Sequence, residues 1–272
     1  MRRIGWFGPE TAASADTVGR RMSTVYAIAN QKGGVGKTTT AVNVAACIAE
    51  AGYPTLLVDV DPQGNATTGL GRPREAPGLY DVLGGDVAAA DAVRPTDVAN
   101  LSLLASTPDL AGATMELPRL AGSEQRLREA LAPVRSQYAF VLLDCPPSLG
   151  PLTVNALVAA DRVIVPVQAE YYALEGLAGL LDTLDLVQRE LNPRLTVAGM
   201  LLTMHDARTK LAQDVEAEVR KHFPSLVFDT VIPRNVRLGE APSFGRAVIH
   251  HDPHCAGAEA YFELAKEVAA RG

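Results

Sequence analysis

The stretch from Val25 to Gly52, VYAIANQKGGVGKTTTAVNVAACIAEAG, places a short apolar run, a glycine-rich turn and a helix-patterned segment end to end. That order leaves few folds open. An apolar run of strand length without polar alternation must be covered on both faces, as a strand inside a parallel sheet is. The helical segment stops at Gly52, a residue suited to a left-handed helix terminus. The unit recurs along the chain. TLLVDVD (55–61), LSLLAS (101–106), FVLLDCPP (140–147), RVIVPVQ (162–168), VAGMLLTM (197–204) and VFDTVIP (227–233) read as strands. SEQRLREALAPV (123–134), with Ser123 as its N-cap, LEGLAGLLDTLDLVQREL (174–191), and segments near 209–222 and 257–270 read as helices. Residues 71–100 follow neither period and read as surface loops and short helices. The expected class is α/β, a mostly parallel twisted sheet flanked by helices on both faces.

Composition narrows what such a sheet serves. Aromatic residues are 5% of the 272, so the core must be built from Ala, Val and Leu. No apolar run reaches the ~18 residues of a membrane span. The first residues lack the apolar stretch of a secretory signal. Cys47, Cys145 and Cys255 are scattered, odd in number and without a CxxC, which excludes a disulfide framework and fits a reducing, cytoplasmic setting. The cluster HHDPHC (250–255) has metal-ligand residue types in a spacing that matches no zinc pattern. With no internal repeat and no linker, residues 24–272 are expected to form one domain. Residues 1–23, polar and aperiodic, are expected to be a flexible arm, with Met22 an alternative start. The net charge of −6 argues against wholesale coating of nucleic acid, yet residues 194–246 hold eight Lys/Arg against six Asp/Glu.

A strand, a glycine-rich turn and a helix are the context of a phosphate loop, in which backbone N–H groups and the helix N-terminus face the anion. In Lys32-Gly33-Gly34-Val35-Gly36-Lys37-Thr38-Thr39, Lys37 is placed to reach the β- and γ-phosphates, Thr38 to ligate Mg²⁺ and Thr39 to donate to the α-phosphate. The usual spacing GxxxxGK[ST] is broken, because Gln31 stands where the first glycine belongs. Asp61 and Asp144 each close an apolar strand. Their carboxylates are expected at the C-terminal edge of the sheet, where open α/β folds bind ligands. Asp59 reads as a buried or structural residue.

KGGVGKTTT resembles the deviant phosphate loop of the ParA/MinD ATPases. DVDPQGNATTGLG (59–71), FVLLDCPPSLGPLTVNAL (140–157), LLTMHDARTKL (201–211) and VIPRNVRLGEAPSFGRAV (231–248) resemble further blocks of the ParA/Soj branch of partition ATPases. The likeness spans about residues 25–270. It implies a P-loop NTPase-like fold and a slow ATPase that uses ATP and Mg²⁺ in chromosome or plasmid segregation. It further implies that Asp61 orients the attacking water, that Asp144 holds Mg²⁺, and that Pro233 and Asn235 contact adenine. Lys32 is implied to cross a homodimer interface to the partner's phosphates, like an arginine finger supplied in trans, with Gly33 allowing the two loops to approach. Nonspecific double-stranded DNA and a ParB-type centromere-binding protein are the implied partners. DNA contacts are expected among Arg208, Lys210, Arg237 and Arg246, and the ATP-bound form is expected on the nucleoid. The alternative is a MinD-like membrane-associated positioning ATPase. That reading needs a basic amphipathic C-terminal helix, whereas GAEAYFELAKEVAARG (257–272) is net acidic. A redox relative would need paired cysteines at a dimer face, and Cys145 has no second cysteine suitably placed.

Overall fold

The computed structural model of the chain describes residues 23–170 and 173–271. The expected arm lies outside them apart from Ser23, whose carbonyl accepts a hydrogen bond from Arg135 at 2.6 Å. In chain order, β1 (Thr24–Ile28) leads into α1 (Lys37–Glu50), and β2 (Thr55–Asp59) into α2 (Asn65–Gly69), α3 (Leu79–Gly84) and α4 (Ala89–Ala92). Then β3 (Arg94–Pro95) and β4 (Leu101–Leu104) precede α5 (Leu110–Glu116) and α6 (Arg126–Arg135). Strand β5 (Phe140–Asp144) is followed by α7 (Pro151–Ala159), and β6 (Arg162–Gln168) by α8 (Ala173–Glu190). Last come β7 (Thr196–Thr203), α9 (Lys210–His222), α10 (Val236–Glu240), α11 (Val248–His251) and α12 (Ala256–Arg271). The strands form one sheet in the order β3-β4-β2-β5-β1-β6-β7. All pair in parallel except the short edge strand β3, which is antiparallel to β4.

The continuous apolar runs have the expected cause. Side chains alternate between faces along a strand, and here both faces are buried. Val25 and Ala27 of β1 enter one core with Leu79, Leu110, Leu131, Leu157 and Leu180. Tyr26 and Ile28 enter the other with Ala45, Ile48, Leu264 and Val268. The scarcity of aromatics has its counterpart in α1, whose Ala41, Val44, Ala45, Ala46, Cys47 and Ala49 are all fully buried. These small side chains let α1 lie close to both the sheet and α12. Cys47 is thus a small core hydrophobe. The helix ends as its sequence implies, with Gly52 at φ 94°.

Four expectations are corrected. Val227–Pro233 is not a continuous strand: it meets the end of the sheet at two isolated bridges, Met200 to Val227 and His205 to Pro233, with Phe228 N donating to Met200 O and Ile232 N to Leu202 O. Phe228 and Ile232 are buried, but the N–H groups of Asp229 and Thr230 go to the Glu267 carboxylate at 3.0 and 2.7 Å instead of to a ladder. Ser123 does not cap a helix. It is buried in a 3-10 turn (Ser123–Gln125), and the free N–H of Leu127 in the first turn of α6 is taken by Asn155 Oδ1 of α7 at 3.1 Å. Strand β2 stops at Asp59, so Asp61 lies in the loop beyond the strand it was expected to close. Within residues 71–100 short helices do form, and Leu79, Val82, Leu83, Ala89 and Ala92 bury themselves in the core rather than lying on the surface.

The loop after α2 meets the C-terminal region backbone to backbone. Gly245 has φ 64°, and a Cβ there would lie 2.7 Å from Gly71 Cα. Gly245→Ala is expected to destabilise the protein by about 2 kcal/mol through a left-handed backbone and a clash with main chain. Gly239→Ala, in open space on α10, is expected not to destabilise. Urea denaturation midpoints of the two variants check the contrast.

Candidate functional site

Register assembles the site. Strand β5 lies between β2 and β1, and Asp144 is the cross-strand partner of both Asp59 and Ile28. The loop that leaves β1 therefore passes directly over the C-terminal end of β5. Asp144 is fully buried, and neither of its carboxylate oxygens has a hydrogen-bond partner. Burial pushes its pKa well above the usual carboxylate range, the nearby Asp59 carboxylate adds to that, and the Thr38 hydroxyl and Lys37 ammonium act in the opposite direction. Asp59, also fully buried, is pushed up to about 6, mainly by burial and against the hydrogen bonds that Thr67 gives it. Asp61, 6% exposed, stands at the same edge, with Oδ1 accepting from Gln63 N at 2.9 Å.

The loop itself, residues 30–37, is held from within. Lys32 N donates to Asn30 Oδ1 at 3.0 Å, and Asn30 Nδ2 donates to Pro166 O at 2.7 Å. Thr203 Oγ1 donates to Val35 O at 2.9 Å. Gly34 and Gly36 have φ 75° and 86°, a conformation that side chains resist, so the turn itself requires them. Gly33 is different. Its φ is unexceptional, and a Cβ there would meet only Pro147 Cβ at 4.0 Å.

The two lysines of the loop face different surroundings. Lys37 is 6% exposed, and its Nζ donates to the Lys32 carbonyl at 3.0 Å. Burial lowers its pKa, and Asp144 chiefly works against that. Lys32 carries its ammonium out to the rim, 3.0 Å from Glu170 Oε2, in a pair whose side chains are 36% and 46% exposed. Gln168 Nε2 holds the other Glu170 oxygen at 2.6 Å. A pair this exposed contributes at most about 1 kcal/mol and separates readily.

The remaining candidates are spread over the region after β7. Pro233 is half-buried and lines a cleft of about 790 Å³ with His205, Arg208, Arg234 and Glu259, while the phosphate-loop residues do not line it. Asn235 caps α10, its Oδ1 accepting from Arg237 N at 2.9 Å. Arg208 pairs with Asp206 at 2.8 Å. Arg237 pairs with Glu240 at 2.7 Å and Asp252 at 3.3 Å. Lys210 and Arg246 are exposed and have no ion pair among the described residues. In the histidine cluster, His250 goes to Glu50 at 2.7 Å, while His251 stacks on Phe244 at 4.9 Å between centroids.

Comparison with known proteins decides the family. The family described as an AAA domain matches residues 23–197. The chain is 60% identical over 245 residues to the chromosome-partitioning ATPase Soj of Thermus thermophilus, covering 90% of this chain and 95% of the relative. It is 54% identical over 253 residues to the sporulation initiation inhibitor protein Soj of Bacillus subtilis, covering 92% of this chain and all of the relative. The chain belongs to the ParA/Soj family of partition ATPases. A solved structure named as the cobyrinic acid a,c-diamide synthase of Mycobacterium smegmatis, with bound ADP and magnesium, is also similar. Its TM-score is 0.79 at 41% identity, and the match covers 90% of this chain and 93% of that one. As a member of this family the chain is an ATPase, and its sheet is the P-loop fold that the loop motif implied.

Several residues of this ATPase's site carry no sequence signal. Glu170 lies beyond β6 with no motif around it, and only the fold brings it to Lys32. Ser106 is drawn to Asp61 in the same way, whereas Thr67, which holds Asp59, lies inside the 59–71 block, whose resemblance assigns it no role. Asn43 ties the first turn of α1 to the C-terminal region, accepting from Val248 N at 2.7 Å and donating to Thr39 O at 2.8 Å.

The buried carboxylates predict a pH dependence. Asp59 and Asp144 have raised values in the fold, so between the ordinary carboxylate range and those values the native state holds protons that the unfolded chain has lost. Stability of the nucleotide-free protein therefore falls as pH rises from about 4 through 6 and beyond. Asp144→Asn removes the larger part of this cost. It is expected to be more stable than wild type at pH 8, by about 1–3 kcal/mol, and to differ less at pH 5. Denaturant titrations at the two pH values check the sign.

Proposed function

We propose that the chain is a Mg·ATP-dependent DNA-partition ATPase that closes around two nucleotides as a homodimer. The observation that carries this reading is the division between the two lysines of one loop, Lys37 turned inward and Lys32 turned out to the rim. Lys37 exchanges the Lys32 carbonyl for β- and γ-phosphate oxygens, and the N–H groups of residues 33–37 cradle the phosphates. Thr39 serves the α-phosphate, and Pro233 and Asn235 the adenine, with the Asn235 Nδ2 donor available while its oxygen caps α10. Thr38 and Asp144 are the residues that would hold Mg²⁺. Two buried, unpartnered carboxylate oxygens beside a hydroxyl are a donor set for a hard cation. A Mg²⁺ ion held by Thr38 and Asp144 would supply charge neutralisation for the transferring phosphoryl group. Asp61 orients the attacking water. With no stronger base at the edge, turnover is slow, and ATP acts as a timed switch.

Lys32 reaches the partner's phosphates in trans. Its contact with Glu170 is weak enough for the partner's phosphates to replace it. Gly33 supports this reading, since neither its own backbone nor its own chain requires a glycine. Nonspecific DNA binding follows from pairing the basic surfaces of two chains, which makes it conditional on ATP and places the bound form on the nucleoid. Lys210 and Arg246 are the stronger candidates, because Arg208 and Arg237 are already paired within the chain. A ParB-type protein at a centromere-like site accelerates hydrolysis.

The similarity to a diamide synthase offers a second reading, an amide-forming enzyme. Taking ammonia from glutamine calls for a reactive thiolate. Cys47 and Cys145 are fully buried with thiols that burial pushes up, Cys255 is half-buried with its sulfur accepting from Ala258 N at 3.4 Å, and the partition proteins are the more similar by sequence. For the membrane-bound alternative, α12 would need a free apolar face. Its Tyr261, Leu264, Ala265 and Val268 are packed in the core beside α1, and no described helix is long and apolar enough to cross a membrane.

In sedimentation experiments Asp61→Ala is expected to be monomeric without ATP and dimeric with it, while the double variant with Lys32→Ala stays monomeric. A monomer at every ATP concentration sinks the sandwich dimer. DNA binding is expected only with ATP and to weaken steeply with salt. Lys210→Ala and Arg246→Ala should each weaken it equally for all sequences and lower the salt slope by about one per chain.

A further inference from the structure

Asp59 is an expensive residue with no place in the roles described above. It is a fully buried carboxylate whose register neighbour is a second one, Asp144, with Asp61 two residues on. A neutral side chain would hold the end of β2 at lower cost. Its bonds show where the charge is spent. Oδ2 accepts from Thr67 N and from Thr67 Oγ1, both at 2.7 Å, and Oδ1 accepts from Asp61 N at 3.3 Å. The Thr67 hydroxyl accepts in turn from Ser106 N at 3.0 Å, and Ser106 Oγ donates to Asp61 O at 2.8 Å. The ring Asp59–Thr67–Ser106–Asp61 is closed, and each of its four residues is 6% exposed or less.

Both ends of the ring terminate on the main chain of one residue. The N–H of Asp61 is held by Asp59 and its carbonyl by Ser106, on opposite sides of its Cα. That leaves the main chain of Asp61, and with it the origin and heading of its side chain, set by the ring rather than by strand β2, which has ended at Asp59, while Gln63 N holds the carboxylate itself at 2.9 Å. Helix α2, which carries Thr67, is only five residues long and could not fix its own position.

We propose that Asp59 and Thr67 are positioning residues for hydrolysis: through Ser106 they aim the Asp61 carboxylate at the phosphate edge. The inference rests on the water-orienting role proposed for Asp61. A hydrogen-bonded ring that displaces a water-orienting group by a fraction of an ångström lowers turnover while leaving nucleotide affinity in place. Asp59→Asn keeps an oxygen for the two Thr67 donors, but its amide then faces Asp61 N, donor against donor.

The test uses the full chain, with ATP turnover, KM and binding of a fluorescent ATP analogue measured for Asp59→Asn, Thr67→Val, Thr67→Ser and Asp61→Ala. Thermal melts run alongside. Thr67→Val is isosteric and removes only the hydroxyl. It is expected to lower kcat roughly ten- to a hundredfold with KM and affinity little changed. Asp59→Asn should behave likewise. Thr67→Ser, which keeps the hydroxyl, should restore kcat to within about threefold of wild type. The proposal is overturned if Thr67→Val turns over at the wild-type rate while Asp61→Ala is dead. It is equally overturned if Thr67→Ser fails as badly as Thr67→Val, or if kcat, affinity and melting temperature all fall together, as loss of a mere staple would make them. An Asp61→Ala chain that hydrolyses normally contradicts the role of Asp61 itself, a result read independently of Thr67.

Discussion

Three adjacent strands bring Ile28, Asp144 and Asp59 into line at one edge of the sheet, and most of the site follows from that register. It sets two carboxylates side by side in a dry interior, where each makes the other harder to ionise. The surroundings answer each differently. Asp59 has its lone pairs taken by Thr67 and Asp61, whereas Asp144 has neither oxygen satisfied and instead lies below Thr38 and Lys37 at the start of α1. One carboxylate is committed to hydrogen bonds within the fold, and the other is left for the Mg²⁺ we propose.

The rest of the fold keeps that edge rigid. Both faces of β1, β2 and β5 are buried, so a one-residue slip would move every core side chain to the wrong layer. Helix α1 is locked between sheet and α12 by small side chains, and Asn43 fastens its first turn to the segment beside Arg246. The loop after Asp61 meets that same segment through the contact of Gly71 with Gly245. The edge that carries Asp61 and the segment around Arg246 are therefore joined by two contacts, Asn43 with Val248 and Gly71 with Gly245.

Much of this was legible in the chain before it was folded. Apolar runs without alternation announced buried parallel strands, and the break in loop spacing at Gln31 singled out Lys32. What could not be read are contacts between residues distant in sequence. Glu170 finds Lys32 across 138 positions, and Ser106 finds Asp61 across 45, with nothing local to mark either. The failed strand at 227–233 has the same origin, since its donors are captured by Glu267 on the last helix. Ser123 lost its capping role to Asn155 in just this way. Local pattern also overstated the reach of β2, because apolar Val60 continues the run past the point where Asp59 turns to hold Thr67.

The central claim is that the rim lysine of one chain completes the site of another. It is tested most directly by mixing two inactive chains. Lys32→Ala lacks the lysine it would offer, and Asp61→Ala lacks the carboxylate it needs, yet a mixed dimer has one site with Asp61 from the first chain and Lys32 from the second. An equal mixture is predicted to recover ATP turnover that neither chain has alone, at most about a quarter of wild type, the value for random pairing with one competent site per mixed dimer, because a mixed dimer is held by one Lys32 instead of two. A mixture as inactive as its two components would contradict a lysine acting in trans.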